Sequence, residues 1–147
     1  MRHYHIFLIE DEIAEAFFGD ESKLFHLFLE KESTNTIQRR RILQKQIDYI
    51  TRPIIPAIMQ GYLDEALRYR SDYYTCAGFH RLEAVSGESR SELRLGKGRL
   101  TMRSTGGFES ETTFFEVLRQ VERCFLAMDF RRQRYGWLNP IKQTHFV

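Results

Sequence analysis

Phe114-Phe115-Glu116-Val117-Leu118, Cys124-Phe125-Leu126-Ala127-Met128-Asp129-Phe130 and Tyr135-Gly136-Trp137-Leu138-Asn139-Pro140 follow one another in the C-terminal quarter of the chain. Together they read as one supersecondary unit. Phe114, Val117, Leu118 and Val121 recur at i, i+3, i+4 and i+7, the signature of one helix face. The apolar run Cys124 to Phe130 is too short for an independent helix and suits a strand buried on both faces. Arg131-Arg132-Gln133-Arg134 turns the chain. Tyr135 to Leu138 then returns as a second strand, and Pro140, lacking an N–H, ends its pairing. This is the densest aromatic stretch and holds the single Trp, so it is expected to nucleate the core.

Working outward, 147 residues suggest one domain, spanning 1–147. Apolar residues at 42% and aromatics at 14% suffice for a real core. Lys and Arg total 22 against 20 acidic residues, a formal charge of +2, without the basic excess typical of a nucleic-acid binder. Cys76 and Cys124 do not make a disulfide framework. No leader with an apolar h-region opens the chain, and no apolar run reaches the roughly 20 residues that span a bilayer. The expected compartment is a reducing cytoplasm.

From the N-terminus, His3 to Ile9 alternates as a strand does, with His3, His5, Phe7 and Ile9 on one side and Tyr4, Ile6 and Leu8 on the other. Asp11 is placed to N-cap a helix from Glu12 to Phe18, stopped by Gly19. That helix has two apolar pairs, Ile13/Phe17 and Ala14/Phe18, where a surface helix needs one stripe. Either both pairs are buried, or Ala14 and Phe18 face the sheet while Ile13 and Phe17 look outward. A second helix runs from Asp20 to Glu32, with Leu24, Phe25, Leu27 and Phe28 inward. A third runs from about Thr36 to Ile50, with a core stripe of Leu43, Ile47 and Ile50 and a neighbouring stripe of Ile42, Gln46 and Tyr49. Pro53 stops it. Pro56 to Leu67 reads as a further helix. Arg68 to Gly78 is ambiguous. Phe79 to Ser86 and a Glu92–Arg103 hairpin read as strands. The expected fold is α+β (mixed α/β): a single domain, with a sheet of about five strands and helices packed on its faces.

Catalytic readings are weak. Arg94-Leu95-Gly96-Lys97-Gly98 approaches the glycine-rich acyl-CoA loop of acetyltransferases, but one spacer is missing and a strand follows where a helix should open. A hairpin turn is the plainer reading. His3 and His5 share a strand face without further metal ligands nearby. Cys124 heads an apolar run as a small core residue would. Asp129 is either a buried, hydrogen-bonded carboxylate or the strand's exit, and it has no visible acid/base partner. Arg39-Arg40-Arg41 and Arg131, Arg132 and Arg134 are candidate phosphate contacts, though such charges are more often solvated. A protein-binding surface fits better. Ile13, Phe17, Gln46 and Tyr49, rimmed by Glu12, Glu15, Asp48 and Arg52, have the make-up of an apolar interface centre with a polar rim.

The C-terminal stretch already quoted, with Phe146-Val147, resembles the SirA family of sporulation inhibitors of replication. So do Arg2-His3-Tyr4, Leu8-Ile9, Phe18-Gly19 and Glu21-Ser22 near the N-terminus, and Lys45-Gln46-Ile47, Tyr49-Ile50-Thr51 and Pro53 in the third helix. The likeness covers both ends and fades between about Ile54 and Gly106. It implies a cytosolic, non-enzymatic inhibitor without a cofactor, which binds domain I of the replication initiator DnaA. It also implies a contact surface on Ile13, Phe17, Gln46, Tyr49 and Ile50. The family pattern has aromatics at both first-helix positions, with Tyr where this chain has Phe17, so Ile13 is smaller and Phe17 lacks a hydroxyl. Ile50 is shared with the core stripe.

Overall fold

The structure is a computed structural model that describes residues 1–76 and 78–139. Its elements run β1 (Arg2–Leu8), α1 (Asp11–Ala16), α2 (Glu21–Ser33), α3 (Ile37–Ile50), α4 (Pro56–Leu67), β2 (Tyr73–Cys76), β3 (Phe79–Glu83), β4 (Ser89–Leu95), β5 (Leu100–Gly106), α5 (Glu109–Val121), β6 (Phe125–Asp129) and β7 (Arg134–Trp137). The strands form one sheet in the order β2-β3-β4-β5-β1-β6-β7. Each neighbouring pair is antiparallel. The α+β expectation holds, with seven strands instead of about five. The Glu92–Arg103 hairpin supplies two of the seven, β4 and β5, and the remaining addition is β2, in the stretch that read as ambiguous. Its outer positions are exposed, because it lies at the sheet's edge. An edge strand has a neighbour on one side only, so its sequence lacks a strong burial pattern.

β1 is the internal strand on which the helical layers converge. The period-two alternation of its side chains decides which residues meet which helix. Phe7 meets Phe28 of α2 with ring centroids 4.4 Å apart. On the opposite face Tyr4 meets Phe115 of α5 edge-on at 5.4 Å. β6, beside β1, is buried at all five positions. Coverage of both sheet faces by helices explains this; the parallel pairing usual for such strands is not needed. The hydrophobic density of the C-terminal stretch therefore belongs to β6 and α5. β7 is a largely exposed edge strand, with Trp137 half-buried. This revises the expectation that Trp137 lies at the core's centre. Pro140, read as the strand's stop, lies outside the described residues.

Two polar clusters are sealed in this frame. Glu111, in the first turn of α5, is 3% exposed. It accepts from Arg2 Nε and, at 2.6 Å, from Tyr4 Oη. Burial, and then this hydrogen bond to a carboxylate, push the Tyr4 phenol up to about 12. Glu111 thereby fastens α5 to the first strand. Nearby, Ser110 Oγ lies 2.7 Å from Ser89 Oγ and 2.9 Å from Ser91 Oγ, and Ser91 Oγ lies 2.7 Å from Ser104 Oγ. These buried hydroxyls satisfy one another, as burial requires. Gly106 joins the layers here. Its φ is +74°, and a Cβ would fall 2.0 Å from the Glu88 carbonyl oxygen.

Removing one partner of a buried ion pair strands the other charge. Glu111→Ala is therefore expected to lower the unfolding free energy by about 3 kcal/mol. Glu109→Ala, at an exposed position of the same turn, should change it by less than about 0.5 kcal/mol. Urea denaturation of the two variants checks this.

Candidate protein-binding surface

The surface is built on a short backbone pairing. Where β1 ends, Arg52 N–H donates to Leu8 O at 2.8 Å and Glu10 N–H donates to Ile50 O at 2.8 Å. Ile9 and Thr51 form an antiparallel bridge. The start of α1 is thereby joined to the end of α3, the two helices that carry the stripes singled out in sequence. α1 begins one residue earlier than expected, with Glu10 at the cap position and no side-chain cap. Asp11 is thus not the N-cap. Its carboxylate instead accepts from the Cys124 thiol at 3.1 Å. Gly19, at φ +84°, follows the end of α1, as its tolerance of the left-handed region suggested.

The candidate residues divide by burial. Leu43, Ile47 and Ile50 of α3 are buried, the stripe expected from their spacing. Ile50, at 9% exposure, is a core residue at the edge of this surface. Tyr49 is 80% exposed and Ile42 49%, with Gln46 exposed between them. On α1, Ala14 is fully buried. Ile13 and Phe17 are half-buried and packed against the core. Phe18, which the sequence paired with Ala14 against the sheet, is 42% exposed. The helix is only six residues long, and the chain leaves helical geometry near Phe17, so the four-residue spacing no longer carries Phe18 inward. The polar rim is ordered by ion pairs of Arg52 with Glu122 at 3.1 Å and of Arg123 with Glu15 at 3.4 Å. Gln44 Nε2 donates to Asp48 at 2.8 Å.

Most of the residues behind the alternative readings have structural partners. Gly96-Lys97-Gly98 makes the β4–β5 turn, closed by Gly96 N–H donating to Arg99 O at 3.0 Å. Burial, and then the hydrogen bond to Asp11, raise the Cys124 thiol to about 12. A thiol held so firmly protonated is a poor nucleophile. Among the described residues no group of three or more His, Cys, Asp or Glu side chains is arranged to hold a metal ion. Arg39 is held by Glu30 across the α2–α3 pair, with Nε 2.9 Å from the carboxylate. Asp129 is both things the sequence allowed. It is the last residue of β6 and buried, and it accepts from the Arg132 N–H at 3.2 Å. Sequence reading passed over a second exposed strip, Ile55 at the cap of α4 with Ile58 and Tyr62 on the helix, each about half exposed. Its three- and four-residue spacing was the signal, masked by the parallel core stripe Met59, Leu63 and Leu67.

Residues 2–142 match the family model described as "Sporulation inhibitor of replication protein SirA". A Bacillus subtilis (strain 168) protein of that same name is 40% identical over 147 residues, covering 99% of this chain and 99% of the relative. The chain belongs to the SirA family. Because the SirA match runs nearly end to end, it includes the Ile54–Gly106 region where motif resemblance had faded. That region holds α4 and β2 to β5. No helix among the described residues is long and apolar enough to cross a membrane.

Burial separates the candidate residues energetically. Tyr49→Ala should leave the melting temperature within about 2 °C of the parent, as expected for an exposed site losing less than about 0.5 kcal/mol. Phe17→Ala should cost about 2 kcal/mol, part of the roughly 3–5 kcal/mol of a fully buried aromatic, which Phe125→Ala should show in full. Thermal and urea unfolding of the three variants checks the ranking.

Proposed function

We propose that the chain inhibits the initiation of DNA replication during sporulation by binding domain I of the initiator DnaA. It acts in the cytoplasm as a single-domain, stoichiometric protein ligand, not as an enzyme, and needs no cofactor. The contact surface is the junction of α1 and α3: Ile13, Phe17, Gln46 and Tyr49, with Ile50 beneath as support. The whole-length relation to SirA supports the inhibitory role. One observation carries the choice of surface. Tyr49 projects 80% exposed from the last turn of α3, the turn whose Ile50 carbonyl holds the start of α1 through the 2.8 Å bond from Glu10.

A large aromatic in that position makes an effective anchor. Its rigid ring loses little entropy on binding and removes a large apolar area from water. Phe17 has a different part. Half-buried, it fixes the shape of the surface and presents only its outer edge. The rim pairs Arg52–Glu122 and Arg123–Glu15 supply oriented charge around this centre, an arrangement that favours specificity and association rate more than affinity. Inhibition then follows from occupancy of the initiator's domain, without covalent chemistry.

Titration of the purified chain with DnaA domain I on a calorimeter tests this. Tyr49→Ala should weaken binding by about thirtyfold, the effect of losing roughly 2 kcal/mol at an interface anchor. Arg134→Gln, on the distant edge hairpin, should bind as the parent does. Parent-like affinity in Tyr49→Ala would move the interface away from α3.

A further inference from the structure

A cavity of about 360 Å³ opens on the α2 side of the sheet, at the N-terminal end of β1, away from the α1–α3 junction. It lies in the size range of small-ligand sites. Its wall is a row of flat rings. His3 and His5 have centroids 4.7 Å apart, and His5 and Phe130 5.0 Å apart. The register puts Arg103 of β5 directly opposite His3, and Arg131 follows Phe130 at the start of the β6–β7 turn. All of these residues line the cavity.

The charges are arranged unequally. Two carboxylates border the cavity, and each is already engaged. Glu32 pairs with Arg99 at 2.8 Å, and Asp129 with Arg132 at 3.4 Å. Among the described residues no carboxylate lies within ion-pair distance of Arg103 or Arg131. Glu92, opposite Arg103 in the β4–β5 register, is itself paired with Arg94 at 3.2 Å, so both guanidinium groups are left without an ion-pair partner. The imidazoles add direction without charge. Arg99 Nη1 lies 3.1 Å from His5 Nδ1, and a guanidinium can only donate. His5 Nδ1 is thus the acceptor, and the ring proton sits on Nε2, a free donor on a ring that lines the cavity. Burial, and then the Arg99 charge, lower the His5 imidazole to about 4. Burial and Arg103 lower that of His3. Both rings are neutral near pH 7.

The geometry points to a binding site for a nucleoside 5′-monophosphate, its phosphate dianion held by Arg103, Arg131 and the His5 Nε2–H and its base laid against the His3–His5–Phe130 row. Planar guanidinium groups match phosphate oxygens, and flat rings accept any nucleobase by stacking. Two free positive charges match the near-double negative charge of a phosphate monoester. A lone inorganic phosphate would use the arginines but leave the ring wall empty; a nucleoside would do the reverse.

Calorimetric titration of the full chain with AMP and GMP, inorganic phosphate and adenosine tests the site. The nucleotides should bind saturably and about tenfold or more tighter than either fragment. Arg103→Gln and Arg131→Gln should each weaken them by about tenfold, the usual loss for one hydrogen bond to a charged group. Both side chains are exposed, so the fold should survive. Arg90→Gln, on the same sheet face but outside the cavity, should bind as the parent does. Absence of saturable nucleotide binding would overturn the assignment. So would phosphate binding as tight as AMP, or parent-like affinity in both cavity variants.

Discussion

Two backbone hydrogen bonds, Arg52 N–H to Leu8 O and Glu10 N–H to Ile50 O, each 2.8 Å, hold the architecture of the candidate surface. They extend β1 by one antiparallel step onto the segment after α3. A six-residue helix cannot hold its own shape in water, since nucleation consumes most of what so few hydrogen bonds return. α1 therefore depends on tertiary anchoring. It receives this at its start from Ile50 and along its inner face from Ala14, Ile13 and Phe17. The same carbonyl belongs to the last turn of α3, the turn that carries Tyr49. The link between the two helices is a consequence of how the chain leaves its first strand.

The sheet is unevenly clothed, and this divides the molecule's labour. β1 and β6 are packed by α2 on one face and α5 on the other, and from Ile6 to Leu8 and Phe125 to Met128 the side chains are all apolar. Where polar groups enter this region they arrive with partners: Glu111 with Arg2 and Tyr4, and the serine hydroxyls with one another. An unpaired carboxylate at the depth of Glu111 would be untenable. The β4 and β5 strands alternate buried Leu93, Leu100 and Met102 with exposed Arg94 and Arg103. Their open face keeps a charged character, and the ring-walled cavity forms where it meets α2.

Much of this was legible in the sequence because strong periodicity leaves few choices. The α3 stripe Leu43, Ile47 and Ile50, the α4 helix from Pro56 and the turn at Gly96-Lys97-Gly98 all lie where spacing and turn chemistry put them. The apolar run of β6 was legible as doubly buried, but not the means, because helices on both faces of an antiparallel sheet leave the same trace as a parallel one. β2 was hard for the reason that makes it an edge: one neighbour, little burial, weak pattern. β7, the other edge, was legible as a returning strand, but its exposure was not. In α1 two apolar pairs were visible, but which pair faced in depended on where so short a helix ends. Phe18 turned outward because the chain had already left the helix. The bond between Glu10 and Ile50 had no sequence signal at all, since backbone groups carry none. The link between the start of α1 and the end of α3 was therefore beyond reach without the fold.

Hydrogen–deuterium exchange of the intact chain with and without DnaA domain I tests the central claim most directly. Slowed exchange is expected in α1 and in the last two turns of α3, with β2 to β5 and the β6–β7 turn unchanged. Protection confined to the open sheet face or to the β6–β7 turn, with α1 and α3 exchanging as in the free protein, would contradict the account.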